Sequence, residues 1–120
     1  QVTERVIDAV RGGAGAVIPV LPVADTLKTV DASGLVTGTP RRADLAVVQT
    51  PQGFRWDVLI RAHEAGASLG ADEARAATDD AGLVEAIGAA VHTVAGDERS
   101  MKVTRPLDLA LARLLAAEEA

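Results

Sequence analysis

Cysteine is absent, so this sequence can form no disulfide, hold no zinc through thiolates and offer no thiol nucleophile. An oxidising compartment has nothing to act on, and a cytoplasmic setting is expected. Aromatic residues are reduced to Phe54 and Trp56, which leaves no platform on which bases could stack. Positive charge is also short: the formal net charge is −5, and the 12 lysines and arginines are scattered along the chain. A phosphate backbone rewards clustered basic residues, so nucleic acid is excluded as a partner. The longest apolar run, Ala16 to Ala24, is interrupted by Pro19 and Pro22 and falls far short of the ~20 residues that span a bilayer. No membrane role is expected.

Catalytic signatures are missing as well. There is no Walker loop, no GxGxxG, no cluster with metal-ligand spacing, and no Ser/His/Asp set in a usable context. The glycine-rich Gly12-Gly13-Ala14-Gly15 precedes a strand pattern instead of following one, so it reads as a turn and not as a phosphate cradle.

What remains is enough for one small domain of 120 residues, 48% of them hydrophobic. With so few aromatics, its core must be built from Val, Leu, Ile and Ala. Helix and strand patterns alternate, which predicts an α/β fold with a largely parallel sheet. Val2, Val6, Ile7 and Val10 mark an opening helix that stops at Gly12-Gly13, and Ala16-Val17-Ile18-Pro19-Val20 reads as a strand buried on both faces. A chain that starts with Gln1, inside or at the edge of a helix and with no strand before it, is expected to be preceded by a further segment.

Between Val23 and Asp44 the pattern changes. Thr26–Val30 and Leu35–Thr39 are short β-prone runs around Asp31-Ala32-Ser33-Gly34, which predicts a hairpin. A two-stranded hairpin with so little apolar surface is marginal alone, so it is expected to project as an arm and lean on another subunit. Leu45–Val48 then returns to a buried strand, and a polar loop, Gln49–Phe54, follows. Trp56, Leu59, Ile60 and His63 mark one face of a helix, and Ala67–Ala77 reads as loop or frayed helix end. Thr78 sits where an N-cap belongs, with Asp79 and Asp80 in the first turn, Leu83, Val84 and Ile87 behind them, and Gly88 as the stop. Val91–Val94 alternates as a strand, Met101–Thr104 is a short extended segment, and Pro106 starts a helix with Leu107, Ala110, Leu111, Leu114 and Leu115 as its apolar positions.

Thr26, Thr50, Thr78 and Lys102 stand at strand ends and helix starts, where parallel sheets place their ligands. Taken singly, each has an ordinary explanation: an arm surface residue, a turn residue before Pro51, a cap and a solvated charge. Asp79 and Asp80 fit the positive end of a helix dipole better than a magnesium site. His63 and His92 read as packing or surface residues, and Arg41-Arg42 as a basic pair at the end of the arm.

Four strings in one order alter that reading: Asp25-Thr26-Leu27-Lys28; Arg42 followed by Thr50-Pro51-Gln52; Thr78-Asp79-Asp80-Ala81; and Met101-Lys102-Val103-Thr104-Arg105-Pro106-Leu107-Asp108-Leu109-Ala110. Together they resemble the second half of the 2-C-methyl-D-erythritol 4-phosphate cytidylyltransferases, with wording similar to actinobacterial members. The resemblance covers essentially the whole chain, so residues 1–120 are expected to be the carboxy-terminal part of one cytidylyltransferase domain, with residues 23–44 as its dimer arm. It implies a Rossmann-like nucleotidyltransferase sheet and transfer of CMP from CTP to the polyol phosphate, with Mg²⁺ and release of pyrophosphate.

The resemblance further implies that Thr26, Arg42, Thr50, Thr78 and Lys102 contact the sugar phosphate, with Arg42 and Lys102 positioning it for attack. It also implies a homodimer whose crossed arms let one chain contribute Thr26 and Arg42 to its partner's site. Two departures stand out. Asp44 occupies a position that is commonly Gly in relatives, and it puts a negative charge near the incoming phosphate. The family's glycine-rich nucleotide loop and its magnesium-binding aspartate motif belong before the residues present here. A ribitol-phosphate cytidylyltransferase is the rival within the class, and a non-catalytic dimerisation module is the rival outside it.

Overall fold

The computed structural model describes residues 1–67 and 78–119. The elements are α1 (Val2–Arg11), β1 (Ala16–Pro22), β2 (Thr29–Val30), β3 (Val36–Gly38), β4 (Ala46–Val48), β5 (Gly53–Phe54), α2 (Trp56–Ala67), α3 (Asp80–Ala86), β6 (His92–Ala95) and α4 (Pro106–Glu119), with a 3₁₀ turn at Arg42–Asp44. The expectation for Ala67–Ala77 lies, after Ala67, outside the described residues.

Strand β1 is the axis of the sheet. Along one edge it pairs in parallel with β6, Val17 opposite His92 through Val20 opposite Ala95. Along the other edge β5 and β4 lie end to end, both antiparallel to β1, with Ala16 opposite Phe54 and Val20 opposite Val48. The sheet is therefore mixed where a largely parallel one was expected. Two of the three pairings run antiparallel because the chain returns through β4 and β5 before any crossover helix intervenes.

Pro19 in mid-strand is tolerated for a related reason. Its carbonyl accepts from the Gln49 N–H at 2.8 Å, so the side of Pro19 that lacks a donor faces the gap where the chain leaves the sheet between β4 and β5.

Successive residues of a strand point to opposite faces, and this sorts the helices into two layers. A Cβ on Gly53 would come within 2.5 Å of Val6 Cγ1 and 3.2 Å of Val10 Cγ2, so β5 has a glycine where α1 lies against it. Phe54 points the other way, into the cluster of Ala16, Ala62 and Val84 that Val58, Leu83, Ile87, Ala89 and Val91 surround. Helix α1 thus covers one face, and α2 with α3 covers the other. Val2 and Val6 are buried one helical turn apart, and Gly13, at φ +115°, supplies the left-handed turn into β1.

Some apolar positions face water in this chain. In α2 the expected stripe is half met: Leu59 and Ile60 are partly covered, as are Val58, Ala65 and Gly66 around the buried Ala62, but Trp56 is 76% exposed and His63 is also exposed. Strand β4, expected to be buried, has Val47 and Val48 nearly half exposed. In α4 only Asp108, Ala112 and Leu115 are partly covered, whereas Leu107 is 79% exposed. Periodicity located these helices correctly but could not say which stripe meets a neighbour.

The hairpin is present and exposed throughout, with Thr29 opposite Gly38, Val30 opposite Val36 and a bulge between Thr29 and Val30. Asp31 builds its turn: Oδ1 accepts from Ser33 N, Ser33 Oγ and Leu35 N at 2.7 to 3.0 Å, and these donors hold its carboxyl below the usual carboxylate range. Gly34 takes the left-handed position at φ +87°. The Thr29 and Thr37 hydroxyls bond across the strands at 2.8 Å, and Lys28 Nζ donates to Thr39 Oγ1 at 2.7 Å.

Candidate functional site

The loop Gln49–Gln52 leaves the sheet in the gap between β4 and β5, and α3 starts beside it. Between them opens a cleft of about 750 Å³ lined by Thr50, Pro51, Gln52, His63, Gly66, Ala67, Thr78, Asp79, Asp80 and Leu83. Two hydroxyls singled out from the sequence, Thr50 and Thr78, therefore share one concave surface although 28 residues separate them.

The start of α3 differs from expectation by one residue. Asp79, in extended conformation at φ −152°, is the N-cap, and its Oδ1 accepts from Gly82 N at 2.8 Å. Thr78 is the residue before the cap, which frees its hydroxyl from the helix and leaves it on the cleft wall. Asp beats Thr here because a carboxylate both accepts the helix N–H and answers the positive end of the dipole. Replacing Asp79 by Ala is expected to lower stability by about 1 kcal/mol, read from the midpoint of urea unfolding.

Three of the four oxygens of the Asp79 and Asp80 carboxylates are engaged. Asp79 Oδ2 accepts from Gln52 Nε2 at 2.9 Å, and Asp80 Oδ1 pairs with His63 Nε2 at 2.8 Å. Among the described residues no group of three His, Cys, Asp or Glu converges as a metal site would. The described residues of the cleft therefore do not fit a magnesium ion, and Asp79 and Asp80 act as the cap and the histidine partner of a helix start.

The other three candidates lie elsewhere. Thr26 and Arg42 stand on the exposed arm. Arg42 Nη1 donates to Ala24 O at 2.8 Å, which ties the two ends of the arm together at its base. Asp44 ends the same 3₁₀ turn that Arg42 begins; no non-glycine residue among those described has positive φ, so the departure from Gly is accommodated without strain.

Lys102 is exposed, and among the described residues no hydrogen bond or ion pair holds its ammonium group. The segment that carries it is fixed from behind. Asp108 Oδ2 accepts from Thr104 N, Thr104 Oγ1 and Arg105 N at 2.9 to 3.1 Å, closing the first turn of α4. The Thr104 and Arg105 backbone donors hold the Asp108 carboxyl below its ordinary value. Its contribution is complete above the ordinary carboxylate range and is lost as pH falls through the lowered value.

One chain thus joins Thr50 with Thr78 and leaves a free cation on Lys102, while Thr26 and Arg42 stand apart on the arm. Sequence reading missed Gln49, Gln52 and the His63–Asp80 pair. Their partners are 17 to 48 residues away, so no local pattern announces them.

Comparison with known proteins identifies the family. The family model described as IspD, 2-C-methyl-D-erythritol 4-phosphate cytidylyltransferase, matches residues 1–118. The chain is similar to two curated proteins of that name. The Rhodococcus jostii protein is 53% identical over 116 residues, covering 97% of this chain and 48% of the relative. The Nocardia farcinica protein is 55% identical over 111 residues, covering 92% and 45%. A crystal structure of 2-C-methyl-D-erythritol 4-phosphate cytidylyltransferase from Thermus thermophilus superposes with a TM-score of 0.78 at 38% identity, covering 97% of this chain and 54% of that one. The chain spans about half the length of the curated relatives it matches.

Proposed function

Since the chain belongs to the 2-C-methyl-D-erythritol 4-phosphate cytidylyltransferase family, we propose that it forms the polyol-phosphate side of an enzyme that transfers CMP from CTP to 2-C-methyl-D-erythritol 4-phosphate. In that reaction a phosphate oxygen of the polyol forms a bond to the α-phosphorus of CTP as the bond to pyrophosphate breaks. The enzyme works in the cytoplasm, in formation of isoprenoid precursors. The observation that carries this reading is the convergence of Thr50 and Thr78 on one open cleft, with carboxylates that are already paired.

The roles follow from charge. Nucleophile and target are both anionic, so approach requires neutralisation and fixed geometry more than covalent help from the protein. Thr50 and Thr78 donate hydrogen bonds to the polyol and its phosphate. Lys102 supplies an ammonium that no group among the described residues claims, and Arg42 a planar guanidinium that can grip two phosphate oxygens.

Because Thr26 and Arg42 project on the arm, they serve the site of a second subunit in a crossed-arm homodimer. Exposed Val30, Leu35 and Val36 support that assignment, since an isolated hairpin leaves them in water. Asp79 and Asp80 hold no magnesium in this reading, because both already bond protein groups at the start of α3.

The test is an enzyme made by fusing the amino-terminal half of the Rhodococcus jostii relative ahead of Gln1. With CTP it should consume 2-C-methyl-D-erythritol 4-phosphate at least tenfold more efficiently, in kcat/KM, than D-ribitol 5-phosphate. Preference for the ribitol compound would replace the substrate; inactivity with both would remove the catalytic reading.

A further inference from the structure

The two glutamines that bracket Thr50-Pro51 each grip a different part of the molecule. Gln52 reaches the start of α3: its Nε2 donates to Asp79 Oδ2 at 2.9 Å and its Oε1 accepts from Ala81 N at 3.4 Å. With Asp79 Oδ1 on Gly82 N, two of the donors that a helix start leaves unsatisfied are met, one from within α3 and one from the loop. The residues that follow Thr50 and those that follow Thr78 are therefore linked by hydrogen bonds along the cleft wall.

Gln49 reaches the other way. Its Oε1 accepts from Asp97 N at 3.0 Å and its Nε2 donates to Asp97 O at 2.8 Å, so one side-chain amide pairs with both backbone groups of a single residue. Its own N–H is held by Pro19 O at 2.8 Å, and Gly96 N by Val20 O at 2.8 Å. Gln49 thus spans from the β4 edge of β1 to the exit of β6 on the opposite edge. Gly96 is shaped to this contact: a Cβ there would collide with Gln49 Oε1 and stand 3.1 Å from Val20 O. From Asp97 the chain turns, with Ser100 N bonded to Asp97 O at 2.9 Å, and leads directly to Lys102.

We infer that Gln49 and Gln52 are positioning residues that hold Thr50 in register with Lys102 and with Thr78 respectively, an inference that rests on the site proposed above. Only an amide suits these places. Each side chain must donate and accept at once, and at position 52 a carboxylate would face the Asp79 carboxylate. Neither glutamine is needed to fill the core, which consists of Ala16, Ala62, Val84 and their neighbours, so substitution should disturb placement more than folding.

The experiment uses the fused enzyme and measures both Michaelis constants, kcat and the melting temperature. Gln52→Ala should raise KM for the polyol phosphate about tenfold and leave KM for CTP within twofold, with melting lowered by no more than about 3 °C. Gln52→Glu should be worse than Gln52→Ala, because the new carboxylate would face that of Asp79. Gln49→Ala should reduce kcat about tenfold through misplacement of Lys102, and combining it with Lys102→Ala should add little further loss.

A purely structural role would raise both KM values together as the melting temperature falls, and that result overturns the inference, as would an unchanged polyol-phosphate KM in Gln52→Ala. Failure of the underlying site would look different. Thr50→Val and Thr78→Val would then leave the polyol-phosphate KM unmoved.

Discussion

Arg42→Ala and Lys102→Ala versions of the fused enzyme should each lose at least about a hundredfold in kcat/KM for the polyol phosphate, yet an equal mixture of the two should recover activity. On the proposed reading each change removes a cation that positions an anionic nucleophile against an anionic target. The recovery follows from geometry. Arg42 stands on an arm whose side chains are exposed in its own chain, whereas Lys102 lies on the segment between β6 and α4. If the arm crosses to a second subunit, a mixed dimer contains one site built from the two intact residues and one carrying both lesions. Random reassortment makes half of the dimers mixed, and half of their sites are intact, so activity should return to about a quarter of wild type. Mixed dimers that form and stay inactive would place both residues in one subunit's site and end the crossed-arm proposal. Since Arg42 also bonds Ala24 O at the base of the arm, Arg42→Lys is a useful companion. It keeps the charge and loses the planar fork, so it should fall between wild type and Arg42→Ala.

The 120 residues by themselves should release no pyrophosphate from CTP and the polyol phosphate, running roughly 10⁴-fold or more below the fused enzyme. Transfer from a nucleoside triphosphate needs a cradle for the β- and γ-phosphates and a metal to spread their charge. The carboxylates nearest the cleft are taken by Gly82, Gln52 and His63, and Gly12-Gly13-Ala14-Gly15 forms the turn between α1 and β1. On the proposed reading the polyol phosphate keeps its partners Thr50, Thr78 and Lys102, so weak binding without turnover is the expected behaviour. A phosphorus NMR titration of the isolated chain would detect it. Measurable turnover by residues 1–120 would instead locate triphosphate binding within them and undo the division of labour proposed here.

Legibility of the site varied with the range of the interactions involved. Thr50 and Thr78 could be named as candidates because junction positions and motif order are written along the chain, but their meeting across one cleft could not. The Asp79–Asp80 pair was readable as helix-start charge, since capping is a local effect within four residues. Even so, the cap fell on Asp79 and not Thr78, because the backbone turned one residue later. Gln49 and Gln52 were silent: a lone glutamine carries no periodicity, and their partners stand at Asp97, Asp79 and Ala81.

By itself the sequence determined what depends on short-range physics. The glycines after Arg11 end α1, Asp31-Ala32-Ser33-Gly34 turns the hairpin, Pro106 opens α4, and the ordered motifs identify the family. Only the tertiary structure decided strand direction, side-chain exposure and partners. A strand's residues encode a pleat of period two whichever way its neighbour runs, so β4 and β5 could take antiparallel places beside β1 without a sign in their composition. An apolar stripe likewise records that a face can be buried, not that anything lies against it. For that reason Leu107 and Trp56 read as core yet stand in water here, while three small residues, Ala16, Ala62 and Val84, form the centre of the core.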